Sequence, residues 1–466
     1  MKPVPGAGPI SFSVSLADEL VALPSLLPAV EARASMPAGF RAGAIAAGIK
    51  PSGRPDLGLV AVEAGPAAVA AAFTTNAVVA APIRLSQAHL SATEIGGGGR
   101  FGWTDAIVAT SGSANAATGP DGDEDQASLS RAVAAALDTL PERTLALSTG
   151  VIGVRLPLSN IMAGLDRLVP CLESTDEGLE ALARAIMTTD TVVKLATASV
   201  ELPGPDGEPV RVTVSGIAKG VGMIHPRMAT MLAVILTDAS VLPATLHSLL
   251  SPIVQRTWNQ LTVDGDTSTN DTVFLLASGA SRARPATTAS TEAEILGSAI
   301  EAVARSLARA QAADGEGAST LITCQVSGAA DDADARAIAR SVVSSSLLKA
   351  AIHGRDPNWG RVASAAGNAR LPDESLLVAA GLHRNEALPR AGRAPQLAVD
   401  RLRIAFAGTL VFAGTPLPFD RDAVRGTMEA PEVLIRLDLG IGAGIGEAFG
   451  CDLTEQYVIE NAEYTT

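Results

Sequence analysis

The chain reads as an α/β protein on three observations. Short β-like runs at residues 58–64, 106–110 and 144–148 have the length of strands. Ala-rich stretches at 125–139, 176–187 and 293–312 have the length of helices. Strands and helices recur through both halves instead of segregating, which is the α/β texture. In chain order, Gly96-Gly97-Gly98-Gly99 reads as a surface loop. Pro203-Gly204-Pro205-Asp206-Gly207, with β-like flanks, reads as a hairpin turn. Residues 231–236 form an apolar run that reads as a buried strand. The Thr-, Ala- and Ser-rich stretch 283–291 reads as a flexible connector and 389–395 as a turn region. The helix at 293–312 has acids near its start and arginines later, as the helix dipole favours. No repeat of fixed period is present.

Composition narrows the function. The 466 residues are 47% hydrophobic but only 3% aromatic, so the core is built from Ala, Val, Leu and Ile, and 44 glycines shape the turns. A formal charge of −14 without a basic stripe argues against nucleic acid as a partner. The same charge means that an anionic substrate must be held by local cations and backbone N–H groups. Cys171, Cys324 and Cys451 are far apart and odd in number, which points to buried thiols in a reducing compartment and to no disulfide framework. The five histidines form no HExxH or paired-ligand pattern, so no metal is expected. No run of 18 apolar residues is present, so no membrane span is expected, and Asp18 and Glu19 interrupt any secretory-signal pattern.

The most telling stretch is Lys219-Gly220-Val221-Gly222-Met223-Ile224-His225-Pro226-Arg227-Met228-Ala229-Thr230, just ahead of the apolar run. A small residue precedes a hydroxyl residue at the end of a Gly- and Pro-containing loop. If Thr230 Oγ attacks the Ala229 carbonyl, the peptide becomes an ester and then hydrolyses. Thr230 is then left at the head of a new chain. Its α-amine, with an ordinary pKa of about 7.7–8.0, serves as base for its own hydroxyl. By local pattern alone, an Ala-Thr pair at this place is also the entry to a core strand.

Other segments set the context. They are Gly39-Phe40-Arg41-Ala42-Gly43 with Phe73-Thr74-Thr75-Asn76; Ser111-Gly112-Ser113-Ala114-Asn115-Ala116-Ala117-Thr118-Gly119; Ser148-Thr149-Gly150-Val151-Ile152-Gly153; Val263-Asp264-Gly265-Asp266-Thr267-Ser268-Thr269-Asn270-Asp271-Thr272; Gly354-Arg355-Asp356-Pro357-Asn358-Trp359-Gly360-Arg361; and the terminal Asn461-Ala462-Glu463-Tyr464-Thr465-Thr466. In this order they resemble the ornithine acetyltransferases, also called bifunctional glutamate N-acetyltransferases, of arginine biosynthesis. The resemblance runs from about residue 37 to the end and leaves 1–36 as an N-terminal extension.

The resemblance implies a layered α/β sandwich of the type shared with self-processing aminopeptidases. Cleavage between Ala229 and Thr230 gives two interlocked chains, 37–229 (with the extension) and 230–466, assembled as a heterotetramer of two alpha and two beta chains. Thr230 is the nucleophile, and Thr149 (side chain) with Gly150 (backbone N–H) forms the oxyanion hole. Thr188, Lys219, Thr230, Glu316, Asn461 and Thr466 contact substrate. Acetyl passes from N2-acetyl-L-ornithine to Thr230 and then to L-glutamate. No cofactor is required, acetyl-CoA being an alternative acetyl donor in bifunctional members. The enzyme is expected in the cytoplasm. Two alternatives share the scaffold: an acyltransferase of specialised metabolism with another acceptor, and an amidohydrolase or aminopeptidase in which water resolves the acyl-enzyme.

Two further patterns read as structure. Gly440-Ile441-Gly442-Ala443-Gly444-Ile445-Gly446 lies too near the C-terminus for a dinucleotide-binding βαβ unit and reads as a strand-end turn. Asp264, Asp266 and Asp271 lack the glutamate of a calcium loop and read as hydrogen-bonding scaffold around the site. Departures from the family pattern are Thr110, Ser113, Ala77, Val79, Arg227 and Thr320. They leave the reaction class intact and bear on the choice of acceptor.

Overall fold

The computed structural model describes residues 27–225 and 231–462. In the first part, the strands are β1 (Phe40–Ile45), β2 (Leu57–Val62), β3 (Ala67–Phe73), β4 (Phe101–Thr104), β5 (Ala106–Ser113), β6 (Thr144–Val151), β7 (Lys194–Pro203), β8 (Pro209–Lys219), β9 (Leu232–Thr237) and β10 (Thr272–Ala277). They form two sheets, β1-β2-β5-β6 and β4-β3-β10-β9-β8-β7.

Side-chain alternation decides how the layers stack, because successive residues of a strand face opposite ways. Leu232, Val234 and Leu236 of β9 and Phe274 and Leu276 of β10 meet Ile107, Ala109, Leu145 and Leu147 of the other sheet. Ala233 and Ile235 turn the other way, into a core completed by the helices Pro243–Arg256 and Thr291–Ala313. Ala106, Val108 and Ala146 face outward, onto Gly119–Leu137 and Leu158–Leu168. The result is a mixed α/β sandwich of helix, sheet, sheet and helix layers. Every residue of β9 and β10 is buried. Strands covered on both faces read as continuous apolar runs without alternation, which is how residues 231–236 appear in the sequence.

The second part has its own sheet. Its strands are β11 (Leu321–Ala329), β12 (Arg403–Phe406), β13 (Thr409–Ala413), β14 (Thr415–Pro416), β15 (Glu432–Asp438) and β16 (Gly444–Cys451), in the order β14-β13-β12-β15-β11-β16. The helices Asp332–Val343, Ser346–His353 and Trp359–Gly367 cover it. The two parts are sewn together at β16. Phe449 enters the first core beside Trp258 and Leu261, and the Arg305 and Arg309 guanidinium groups lie 5.6 and 5.5 Å from its ring centre.

Local chemistry sets the element ends. The Ser290 hydroxyl caps the helix Thr291–Ala313 by accepting the Ala293 N–H, with Glu292 and Glu294 in the first turn. The helix expected at 125–139 begins earlier, at Gly119, because Pro120 and Asp121 suit a first turn. The hairpin expected at 203–207 joins β7 to β8, closed by Gly204 N–H on Glu208 O at 2.7 Å. The glycine run 440–446 carries the chain from β15 across the end of β11 into β16, with Ile441 and Gly442 N–H groups on Gly328 O.

Two expectations need correction. The stretch 283–291 is not a loose connector: Ala283 and Ala286 are buried in the first core, and Arg284 and Ala286 N–H groups bond Pro203 O and Ser240 O. Cys171 is an exposed thiol, because it ends the surface turn Val169–Cys171 after a helix; Cys324 and Cys451 are buried. No helix among the described residues is long and apolar enough to cross a membrane.

Candidate active site

Thr149 and Gly150 lie near the end of β6, where the parallel register with β5 slips at Gly112 and Ser113. Gly150 has φ +127, and a Cβ there would stand 2.3 Å from the Gly112 carbonyl carbon. The position therefore demands glycine for both torsion and space. The buried Thr149 hydroxyl accepts a hydrogen bond from Lys219 Nζ at 3.0 Å. With Lys219 donating, the Thr149 proton is left to point at a third group.

Lys219 is the last residue of β8 and is only 2% exposed. Its carbonyl accepts from Gln311 Nε2 at 2.7 Å, and Gln311 Oε1 accepts from the Trp258 indole at 2.8 Å. The Lys219 backbone is thus anchored to the helix Thr291–Ala313. Burial pushes the Lys219 pKa down; the nearby Asp190 charge opposes that, and Lys194 reinforces it.

Glu316 sits in the loop between that helix and β11. Its carboxylate accepts from Thr189 Oγ1 at 2.8 Å and from Asn461 Nδ2 at 2.9 Å, and its N–H bonds Val221 O at 2.8 Å. Asn461 belongs to the C-terminal helix Glu455–Ala462. That helix docks because Gly317 has no side chain: a Cβ there would lie 2.3 Å from the Tyr457 nitrogen. Thr454 Oγ1 adds a bond of 2.6 Å to Gly317 O. The chain end is pinned to the Glu316 loop as far as residue 462.

These residues share one cavity of about 240 Å³, whose walls include Thr149, Gly150, Thr188, Lys219, Glu316 and Asn461. Six sequence-selected site residues are thereby brought together. Ala229, Thr230 and Thr466 lie outside the described residues. Met231, the first residue described after the gap, donates its N–H to Asp271 Oδ1 at 3.0 Å. Burial raises the Asp271 pKa well above its ordinary value, and its second oxygen has no hydrogen-bond partner among the described residues. Asp264 holds the other side of the gap by accepting the N–H groups of Met223 and Ile224. Asp264 and Asp271 act as scaffold, as expected, whereas the exposed Asp266 adds only its backbone N–H, to Asp264 Oδ1 at 3.1 Å.

Other contributors were not singled out in the sequence, although Asn270 lies within one of its motifs. Asn270 Nδ2 donates to Ala114 O at 2.7 Å and Ser148 O at 2.9 Å, tying the ends of β5 and β6 to the start of β10. Asp190, Lys194 and Asp314 form a buried ionic cluster behind the cavity. The departures at Thr110, Ser113 and Thr320 are each satisfied: Thr110 by the Ser148 hydroxyl, Ser113 by Val154 O and Thr320 by Arg355. Arg227 lies outside the described residues. No group of three or more His, Cys, Asp or Glu among the described residues is arranged to hold a metal ion.

Residues 41–466 match the model of the ArgJ family. The chain belongs to the ArgJ family. The family match takes in every site residue named above. Among similar curated proteins, the arginine biosynthesis bifunctional protein ArgJ of Synechocystis is 43% identical over 448 residues, covering 94% of this chain and 98% of the relative. Its namesake from Thermus thermophilus is 42% identical over 431 residues, covering 92% of this chain and 99% of that protein. Among solved structures, an arginine biosynthesis bifunctional protein ArgJ from Bacillus halodurans is 35% identical with a TM-score of 0.43, covering 50% of this chain and 98% of that one. An ornithine acetyltransferase from Mycobacterium tuberculosis, crystallised with ornithine, is 38% identical with a TM-score of 0.36, covering 42% and 97%.

Proposed function

We propose that this ArgJ-family chain is the bifunctional acetyltransferase of arginine biosynthesis, moving acetyl from N2-acetyl-L-ornithine to L-glutamate through Thr230. The observation that carries the reading is the convergence of Thr149, Gly150, Lys219, Glu316, Thr188 and Asn461 on one cavity.

The chemistry follows from the groups present. After cleavage at Ala229-Thr230, the new α-amine takes the Thr230 hydroxyl proton as Oγ attacks the acetyl carbonyl. The oxyanion accepts hydrogen bonds from Gly150 N–H and the Thr149 hydroxyl, whose proton is turned outward because Lys219 already donates to its oxygen. Collapse expels the ornithine amine with the proton and leaves an acetyl ester on Thr230. The glutamate amine then attacks that ester and leaves as N-acetylglutamate. Lys219 suits the α-carboxylate common to both amino acids. Glu316 suits the side-chain ammonium of ornithine, which glutamate lacks. Thr188, Asn461 and Thr466 complete the substrate contacts. No cofactor enters the cycle, and acetyl-CoA is a second donor for glutamate acetylation.

Cleavage at this place gives chains 1–229 and 230–466 that stay together. In the sheet order, β9 and β10 lie between β3 and β8, so strands from after the cut are enclosed by strands from before it. Two such pairs make the proposed heterotetramer, working in the cytoplasm on small-molecule substrates.

Incubation with N2-acetyl-L-ornithine, with and without glutamate, tests the reaction. N-acetylglutamate should form in step with ornithine release; acetate release indifferent to glutamate assigns a hydrolase instead. Thr230→Ala should run as one uncleaved band on a denaturing gel and show no transfer. Two bands from that variant would refute the nucleophile's identity.

A further inference from the structure

Lys194 begins β7 and its side chain is wholly buried, as is that of Asp190; Asp314 is 7% exposed. Lys194 Nζ lies 2.7 Å from Asp190 Oδ1 and 2.6 Å from Asp314 Oδ2. Each of those carboxylates also grips the backbone of a segment lining the cavity. Asp190 accepts Gly220 N–H at 2.8 Å, next to Lys219, and Thr188 N–H at 3.1 Å. Asp314 accepts Thr191 N–H at 3.1 Å and the Thr191 hydroxyl, and stands two residues before Glu316. One ammonium thus ties together the segments that carry Thr188, Lys219 and Glu316.

The same cluster decides which way Lys219 points. Asp190 attracts Lys219, and Lys194 repels it. Lys219 Nζ is nonetheless on Thr149, while Lys194 occupies Asp190 Oδ1. A buried carboxylate stripped of its cation takes the nearest one available, because an uncompensated buried charge is costly. Lys219, one residue from the Gly220 N–H already on that oxygen, is that cation.

We propose that Lys194 is a positioning residue for substrate carboxylates: by satisfying Asp190 and Asp314 it keeps Lys219 out of an internal ion pair and free to bind an anion in the cavity. The kinetic part of this proposal rests on the acetyl-transfer reading; the structural part does not. It adds a residue that touches no substrate, and it explains a buried lysine between two acids as a device for holding a second lysine unpaired.

The test compares two double variants of equal net charge in the full-length, processed protein, since Lys194→Met alone leaves two buried acids and one fewer cation. Lys194→Met with Asp314→Asn leaves Asp190 as the uncompensated acid of the cluster, beside the Glu316 and Asp271 charges that Lys219 meets in either variant. Lys194→Met with Asp190→Asn removes that acid. In the first, a crystal structure should show Lys219 Nζ moved from Thr149 Oγ1, 3.0 Å away at present, to about the 2.7 Å from Asp190 that Lys194 now keeps. Its KM for N2-acetyl-L-ornithine should exceed that of the second variant at least tenfold, with kcat within about threefold. The α-carboxamide of the same donor should show no such difference. A merely structural role would shift kcat or thermal stability and treat acid and amide donors alike. Lys219 remaining on Thr149 in the first variant would overturn the proposal, whatever the kinetics. Absence of transfer in the wild type would sink the acetyl-transfer reading and leave the crystallographic arm to decide.

Discussion

Glu316 lies against Gly222, and substituting the glycine tests the acid without touching it. A Cβ on Gly222 would lie 2.2 Å from Glu316 Oε2 and 2.5 Å from its carboxyl carbon. Gly222 has no positive φ, so the backbone accepts alanine. The clash falls on the far end of a flexible side chain, and the carboxylate must retreat by about 1.2 Å to reach the ordinary 3.4 Å contact. That carries it out of reach of Thr189 Oγ1 and Asn461 Nδ2, now at 2.8 and 2.9 Å. A hydrogen bond to a charged group is worth about 1.5–3 kcal/mol. If Glu316 pairs with the ornithine side-chain ammonium, Gly222→Ala should therefore lose about ten- to a hundredfold in kcat/KM for N2-acetyl-L-ornithine. N2-acetyl-L-norvaline, which lacks the amine, should be turned over at nearly the wild-type rate. The assay is the ratio of kcat/KM for the two donors, with thermal melting to confirm the fold. A ratio within threefold of the wild type would refute the pairing.

Two further outcomes follow from the site and its frame. Thr149→Val should lower kcat/KM about 10²–10³-fold, the usual cost of one oxyanion donor, while Thr149→Ser keeps most of the activity; equal rates for Val and Ser would remove the hydroxyl from the mechanism. Lys50 is buried, donates to the carbonyls of Pro55, Ala185 and Met187, and has its pKa pulled down to about 8, chiefly by burial and then by Arg54. Unfolded lysine holds its proton to about 10.4. The unfolded chain thus binds more protons between about 8 and 10.4, so stability from this group rises with pH across that window and falls as pH drops toward 8. Denaturant unfolding should show wild type gaining up to about 3 kcal/mol relative to Lys50→Met between those limits; parallel curves would place the lysine pKa near its ordinary value.

The layers were legible because the central strands β9 and β10 are apolar on both faces and the helix Thr291–Ala313 carries its own Ser290 cap. Element starts were less so: Gly119, Pro120 and Asp121 look like a loop in the sequence and open a helix in the fold. The stretch 283–291 has the composition of a linker, but two of its three alanines, Ala283 and Ala286, find a core that only the tertiary structure supplies. Thr149, Gly150, Lys219 and Glu316 could be picked out because long ordered motifs surround them. Lys194 could not, since a lysine at the head of a strand carries no local mark of burial, and its partners lie 4 and 120 positions away. Thr188 was singled out, yet its neighbour Thr189 is the one that bonds Glu316. Adjacent hydroxyls in a turn differ in direction, and sequence does not record direction.

The place of β9 would let the chain remain folded if it were cut at the proposed Ala229-Thr230 bond. All six residues of β9 pair with β10 on one side and with β8 on the other. Leu232, Val234, Ile235 and Leu236 are almost completely buried, and each such side chain contributes about 1.5–3 kcal/mol by leaving water. Freeing the few residues ahead of the strand returns about 1–2 kcal/mol of backbone entropy per residue. The sum of burial and ladder bonds exceeds that return, so a break just upstream loosens the loop and leaves the strand in place. Met231 stays tied to Asp271, and Ile224 across the gap to Asp264. Both margins of the undescribed segment are thus held by acids from one motif, the buried Asp271 and the half-buried Asp264.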